Sequence, residues 1–167
     1  QFARHGAPTF AHEPVDLADV VAEVAAEFRG AADERGVSVA SAGPPGLWVV
    51  GDRMALRQAL HNLAGNAVRL APEGSAVRLA AGADGGWTWM AVEDQGPGMP
   101  DNKLEAVFSR FYSERPQGEQ FGKHSGLGLS IARQIVETYR GTIVAANRRD
   151  ERGNVTGARF TVMLPAV

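Results

Sequence analysis

The chain has 167 residues, 44% of them hydrophobic and 22% charged, and a formal net charge of -2. That length suits one domain with a buried core, and the near balance of charge gives no electrostatic basis for binding nucleic acid or an anionic membrane, both of which call for a clustered basic surface. The absence of cysteine excludes a disulfide framework and thiolate metal ligation and fits a reducing compartment, while no apolar run approaches the roughly 20 residues that span a bilayer.

Residues 1–14 carry Gly6, Pro8 and Pro14 without sustained period and read as a linker. The domain proper is expected over 15–167. Its first helix is signalled by Leu17, Val20, Val21, Val24 and Phe28 at helical spacing, with Asp16 as N-cap and Val15 and Val20 as a hydrophobic staple. Val37 to Ser41 and Leu47 to Val50 are short extended stretches around the turn Gly43-Pro44-Pro45-Gly46. Asp52 can cap a second helix running to about Leu70, with an apolar line (Leu56, Leu60, Leu63, Ala67, Leu70) and a polar line (Gln58, Asn62, Asn66, Arg69). Val77 to Ala81 and Trp87 to Asp94 read as strands of a hairpin, a short helix is expected from Asp101 to Phe108, and a long one from near Gly126 to Gly141. Thr142 to Asn147 and Ala158 to Leu164 form a closing hairpin around Arg148 to Asn154, which reads as a solvated turn.

Three constellations have chemical content. Strand alternation puts Asp94 on the face of Thr88, Met90 and Val92, so its carboxylate points toward the core and needs a partner. An exocyclic amino group, as on adenine, would serve; an Asx turn into Gly96-Pro97-Gly98 is an equally good reading of the residue alone. Ser125-Gly126-Leu127-Gly128 opens a helix, where free amides and the helix dipole favour phosphate. Neither a P-loop nor a dinucleotide fingerprint fits here. His124 stands where a P-loop needs Ser or Thr, and no strand runs directly into the turn. Finally, Asn62, Asn66 and Arg69 share one helix face, with Gly65 beside them as a place for close ligand approach. Neutral amide oxygens near a cation suit a magnesium-bound triphosphate, and a solvated face is the commoner meaning of such a line.

In order and spacing these segments closely resemble the ATP-binding catalytic domain of bacterial sensor histidine kinases, within the ATPase family shared with gyrase, Hsp90 and MutL. Gln58 to Pro72 is similar to the N box, Asp94 to Gly98 to the first glycine box, Val107 to Tyr112 to the F box and Ser125 to Ile131 to the second glycine box. The resemblance covers residues 15–165 and implies an α+β fold of the Bergerat type: a two-layer α/β sandwich whose mixed, mostly antiparallel sheet is covered on one face by helices. It implies ATP and magnesium as cofactors. Asn66 would ligate the metal, Asn62 and Arg69 would approach the phosphates, and Asp94 would accept from the adenine amino group with Gly96 and Gly98 making room for the base. Arg110, Gly126 and Gly128 would line the phosphate side, with Ser125, Leu127 and Leu129 as further cofactor-binding residues, Phe108 and Phe111 would anchor a lid, and residues 113–124 would form its cover. Leu70, where the family often has an aromatic residue, and Lys123-His124, where it usually has glycines, depart from the pattern.

The gyrase and Hsp90 branches carry a Glu one helical turn before the magnesium-binding Asn, where it activates water. Here that position is Asn62, which cannot act as a base, so the resemblance implies phosphoryl transfer to a histidine rather than ATP hydrolysis. The phosphoacceptor box is missing, because Pro14 directly follows the His12-Glu13 pair. The expected partners are therefore an upstream helical phosphoacceptor domain of the same parent protein and a downstream response regulator, with a cytoplasmic location and a monomeric isolated domain. A nucleotide-binding pseudokinase that regulates a partner and an anti-sigma-type serine kinase are the alternatives.

Overall fold

The computed structural model describes residues 9–109 and 128–167. Element order is β1 (Glu13–Asp16), α1 (Leu17–Glu34), β2 (Ser38–Ala42), β3 (Trp48–Gly51), α2 (Arg53–Leu70), β4 (Ala76–Asp84), β5 (Trp87–Glu93), two 3-10 turns (Asp101–Lys103 and Ala106–Phe108), α3 (Gly128–Thr138), β6 (Thr142–Arg149) and β7 (Val155–Pro165). Five strands make one sheet in the order β2-β4-β5-β7-β6, and β1 and β3 make a separate two-stranded ribbon. Only β2–β4 is parallel; β4–β5, β5–β7 and β6–β7 are antiparallel. The mixed, mostly antiparallel sheet of an α+β sandwich is thus observed, with α1, α2 and α3 on one face.

Period-2 alternation places the core. Thr88, Met90 and Val92 of β5 and Ala158, Phe160, Val162 and Leu164 of β7 are buried beneath the helices. They meet Val20, Val21 and Val24 of α1, Leu56, Leu60 and Leu63 of α2, and Ile135 and Val136 of α3. The other face is half-covered by its own side chains: Trp89 lies so close over Gly82 that a Cβ there would sit 2.5 Å from the indole, and Arg159 stacks on Trp89 while pairing with Glu93 at 3.0 Å.

Both N-caps are as the sequence predicts. Asp16 accepts from Ala18 N at 3.0 Å, and the same carboxylate takes Gly46 N at 2.8 Å and Leu47 N at 3.0 Å, tying α1 to the turn before β3. Burial works to raise its pKa, but those three donors and the charge of Arg53 outweigh it and hold the carboxyl low. Asp52 accepts from Ala55 N at 3.0 Å to cap α2.

Three expectations need correction. The linker over 1–14 ends early: Glu13 and Pro14 pair with Gly51 and Val50. Just before them, Ala11 donates to Asp52 Oδ2 at 2.9 Å and accepts from Tyr139 Oη at 2.7 Å, while Phe10 packs on the core. The extended stretches flanking Gly43 to Gly46 are strands as expected, β2 running parallel to β4 and β3 joining β1. The short helix from Asp101 is two 3-10 turns, held at the start by Asp101 accepting from Asn147 Nδ2 and Arg149 Nη2, both at 3.0 Å. Arg148 and Arg149, assigned to a solvated turn, belong to β6. Among the described residues no helix is long and apolar enough to cross a membrane.

Candidate functional site

α2, the turn after β5 and the inner face of β7 enclose one pocket, lined by Asn66, Leu70, Asp94, Pro97, Gly98, Met99, Ala158 and Phe160. Its chemistry is mostly apolar, with one carboxylate and one carboxamide. That combination suits a flat heterocycle recognised by one acceptor, with polar groups continuing beyond it.

Asp94 is the organising residue. It is only 5% exposed, and its Oδ1 accepts from Gly96 N at 2.8 Å and Ala158 N at 3.1 Å. The Asx turn therefore forms, and it coexists with the pocket-facing reading because both bonds fall on one oxygen. No hydrogen bond among the described residues reaches Oδ2. Burial pushes the carboxyl above its ordinary range, against the two amide donors and the charge of Arg148. A buried carboxylate with an unused oxygen is an energetic liability that a ligand donor can relieve.

The turn itself is fixed by the β6–β7 hairpin. Asn147 accepts from Met99 N at 2.8 Å and donates back to Met99 O at 2.7 Å. Gly98 has φ of 75°, and a Cβ there would lie 2.5 Å from Val155 and 2.6 Å from Asn147. Gly98 lines the pocket as expected, but what bars a side chain is the hairpin behind it rather than the pocket in front. At Gly96 a Cβ would approach Asp94 Oδ1 at 3.2 Å and Leu70 O at 3.3 Å, so this glycine serves the Asx turn.

Along the polar line of α2, Gln58 is exposed and Asn62, Asn66 and Arg69 are half-buried. Gln58 donates to Asn62 Oδ1 at 2.7 Å, Asn62 donates to Gly128 O at 2.9 Å, and Arg69 donates to Asn66 Oδ1 at 2.7 Å. Arg35 from the end of α1 donates to Arg69 O at 2.8 Å, steadying the last turn of α2. Asparagines inside this helix thus have a structural use: Asn62 holds the start of α3, and Asn66 faces the pocket. Gly65 is a correction. Its open side meets Phe28 of α1, 3.4 Å from a would-be Cβ, so it serves helix packing rather than ligand approach.

Asn66, Asp94 and Gly98 are brought together, and Asn62 meets Gly128. Leu129 packs against the core. Phe108, expected as a lid anchor, is buried edge-on against Phe160 with ring centroids 5.9 Å apart. Arg110, Ser125, Gly126 and Leu127, together with Phe111 and the cover at 113–124, lie outside the described residues. Sequence reasoning missed Asn147, Arg148 and Ala158. For Ala158 the signal was there in the alternation that also turns Phe160 and Val162 inward.

A magnesium ion fits the donor set in a limited way. Among the described residues no group of three or more His, Asp or Glu could hold a metal by itself. A lone carboxamide such as Asn66 suits magnesium, which keeps several waters and takes its remaining ligands from phosphate.

Residues 51–167 match the family described as histidine kinase-, DNA gyrase B-, and HSP90-like ATPase. The chain is 52% identical over 75 residues to the sensor protein ChvG of Rhizobium meliloti (strain 1021), which covers 45% of this chain and 13% of that protein. It is 34% identical over 152 residues to the sensor histidine kinase CusS of Escherichia coli O6:H1, covering 91% of this chain and 30% of that protein. The chain therefore spans less than a third of the length of these relatives. Among solved structures, full-length ShkA in complex with AMPPNP superimposes with a TM-score of 0.79 at 29% identity, over 95% of this chain and 32% of that one.

Proposed function

The chain belongs to the histidine kinase-, DNA gyrase B-, and HSP90-like ATPase family and is an ATP-binding domain of the kind found in sensor histidine kinases; from that premise we propose that it holds magnesium-ATP and transfers the γ-phosphoryl group to a histidine of its parent protein. The observation that carries the reading is the buried Asp94 carboxylate, one oxygen held by backbone donors and the other left for the pocket that it shares with Asn66.

On this reading Asp94 accepts from the adenine amino group, and Leu70, Pro97, Met99 and Phe160 exclude water around the base. Asn66 ligates magnesium, which when bound neutralises phosphate charge and orients the triphosphate. Arg69 stands one turn further along α2 and adds positive charge on the phosphate side. Asn62 and Gly128 are assigned to the phosphate side, together with Arg110 and the segment Ser125 to Leu127, which lie outside the described residues. Asn62, at the position where a water-activating base would stand, is a carboxamide that cannot take the proton, and its amide nitrogen donates to the Gly128 carbonyl. On this reading the acceptor is a histidine imidazole, itself a nucleophile, presented by a helical domain of the parent. The phosphohistidine then serves a response regulator, and the domain works on the cytoplasmic side.

Titration with ATP, with and without magnesium, tests the site. Wild type is expected to gain affinity from magnesium, and Asn66→Ala is expected to lose that gain while retaining the metal-independent part. If magnesium helps both equally, Asn66 is not its ligand.

A further inference from the structure

The backbone of Asp94 is held from one side by a residue outside the four sequence boxes. Between Arg148 and Arg149 the β6–β7 register shifts, so that Arg148 stands opposite Gly157 and Arg149 opposite Val155. Such a bulge re-aims the neighbouring side chain. Because β7 lies between β6 and β5, a side chain of β6 reaches the end of β5 only where β7 leaves room. Gly157 leaves it: a Cβ at that position would fall 1.9 Å from the Asp94 carbonyl oxygen. Across this gap Arg148 donates from Nη1 to that oxygen at 2.8 Å.

The choice of acceptor matters. A guanidinium bonded to the carboxylate would compete with a ligand for it. Bonded to the carbonyl, it fixes the peptide that carries the carboxylate and leaves Oδ2 free. Its charge also opposes the burial penalty on Asp94, and it is the one charged side chain among the described residues found to do so. The other surfaces facing the carboxylate, Asn66 and Leu70 from α2 and Ala158 and Phe160 from β7, are uncharged.

We propose that Arg148 is a positioning residue for base recognition, locking the Asp94 peptide so that the carboxylate is aimed at the amino group of a purine, and acting only through Asp94. This rests on the reading of the pocket as an adenine site.

The test measures affinity of the full chain for ATP and for inosine triphosphate, which carries a carbonyl in place of the amino group. Wild type, Arg148→Met, Arg148→Lys, Asp94→Asn and the Met/Asn double variant are compared, with thermal unfolding as a folding check. Arg148→Met is expected to weaken ATP about tenfold, the scale of one lost hydrogen bond, and to leave inosine triphosphate unchanged. Arg148→Lys should recover most of the loss, and in the Asp94→Asn background Arg148→Met should add nothing. An equal loss for both nucleotides, no loss for either, or a full additional loss in the double variant overturns the proposal. Should Arg148→Met fail to fold, the ATP-to-inosine-triphosphate ratio of Arg148→Lys and Arg148→Gln decides in its place: selectivity kept by Lys and lost by Gln supports the role, and equal ratios refute it. If wild type and Asp94→Asn bind ATP alike, the adenine reading itself has failed and Arg148 falls with it.

Discussion

Replacing Asp94 by Asn exchanges one oxygen for an amide group, and the structure separates the consequences for binding and for stability. Oδ1 accepts both protein donors, from Gly96 and Ala158, and the amide oxygen of Asn can accept the same two. The atom that changes faces the pocket. On the proposed reading a carboxylate oxygen there meets the adenine amino group, whereas an Asn amide would set donor against donor. Loss of a hydrogen bond to a charged group is worth about 1.5–3 kcal/mol, or about 10- to 150-fold in affinity. Stability should move the other way with pH. Burial raises the Asp94 pKa in the folded chain above its ordinary 3.8, so the folded state holds that proton more tightly than the unfolded one. Its contribution is therefore most favourable below the unfolded value and declines as pH rises through the folded one. Asp94→Asn does not titrate and lacks that decline. Calorimetric titration with magnesium-ATP near neutral pH, paired with denaturant unfolding from about pH 4 upward, reads both. Asp94→Asn should fold at least as well as wild type at neutral pH and bind far more weakly. Unchanged affinity in a folded variant would refute the reasoning.

Gly98→Ala should destabilise by roughly 1–3 kcal/mol in chemical denaturation, because the positive φ and the approach to Val155 and Asn147 leave no place for a methyl group; a loss within error would mean that the turn shifts freely. Tyr139→Phe removes the bond to Ala11 O and should cost about 1 kcal/mol, with faster amide exchange at Ala11; unchanged exchange would show that Asp52 alone holds the strap. Asp16 and Asp52 both have carboxyls held below the ordinary value, Asp16 by backbone donors that outweigh its burial and Asp52 chiefly by the Ala11 amide. Their stabilisation is present above the unfolded pKa near 3.8 and disappears as pH falls through the folded values. Asp16→Asn should accordingly flatten the acid limb of an unfolding titration, and an unaltered limb would contradict the assignment.

Local signals in the sequence carry much of this architecture. The caps at Asp16 and Asp52, the β4–β5 hairpin and the polar face of α2 all follow from residue spacing, and the four boxes place Asn66 and Asp94 in one pocket. What the sequence hides is long-range. Nothing adjacent in the chain shows that Glu13 and Pro14 pair with β3, because a Pro-containing edge strand four residues long has little pattern of its own. Gly65 reads as ligand access until Phe28, 37 positions earlier, is seen against it. Arg148 reads as part of a charged turn because its role depends on a bulge and on the bare Cα of Gly157, neither of which leaves a periodic trace.

Phosphoryl transfer to a histidine can be read in a single labelling assay. The chain is incubated with radiolabelled magnesium-ATP and a helical domain carrying the proposed phosphoacceptor histidine. Label is expected on that domain, stable in base and labile in acid, and absent with Asn66→Ala. Normal ATP binding with no acid-labile product would contradict it.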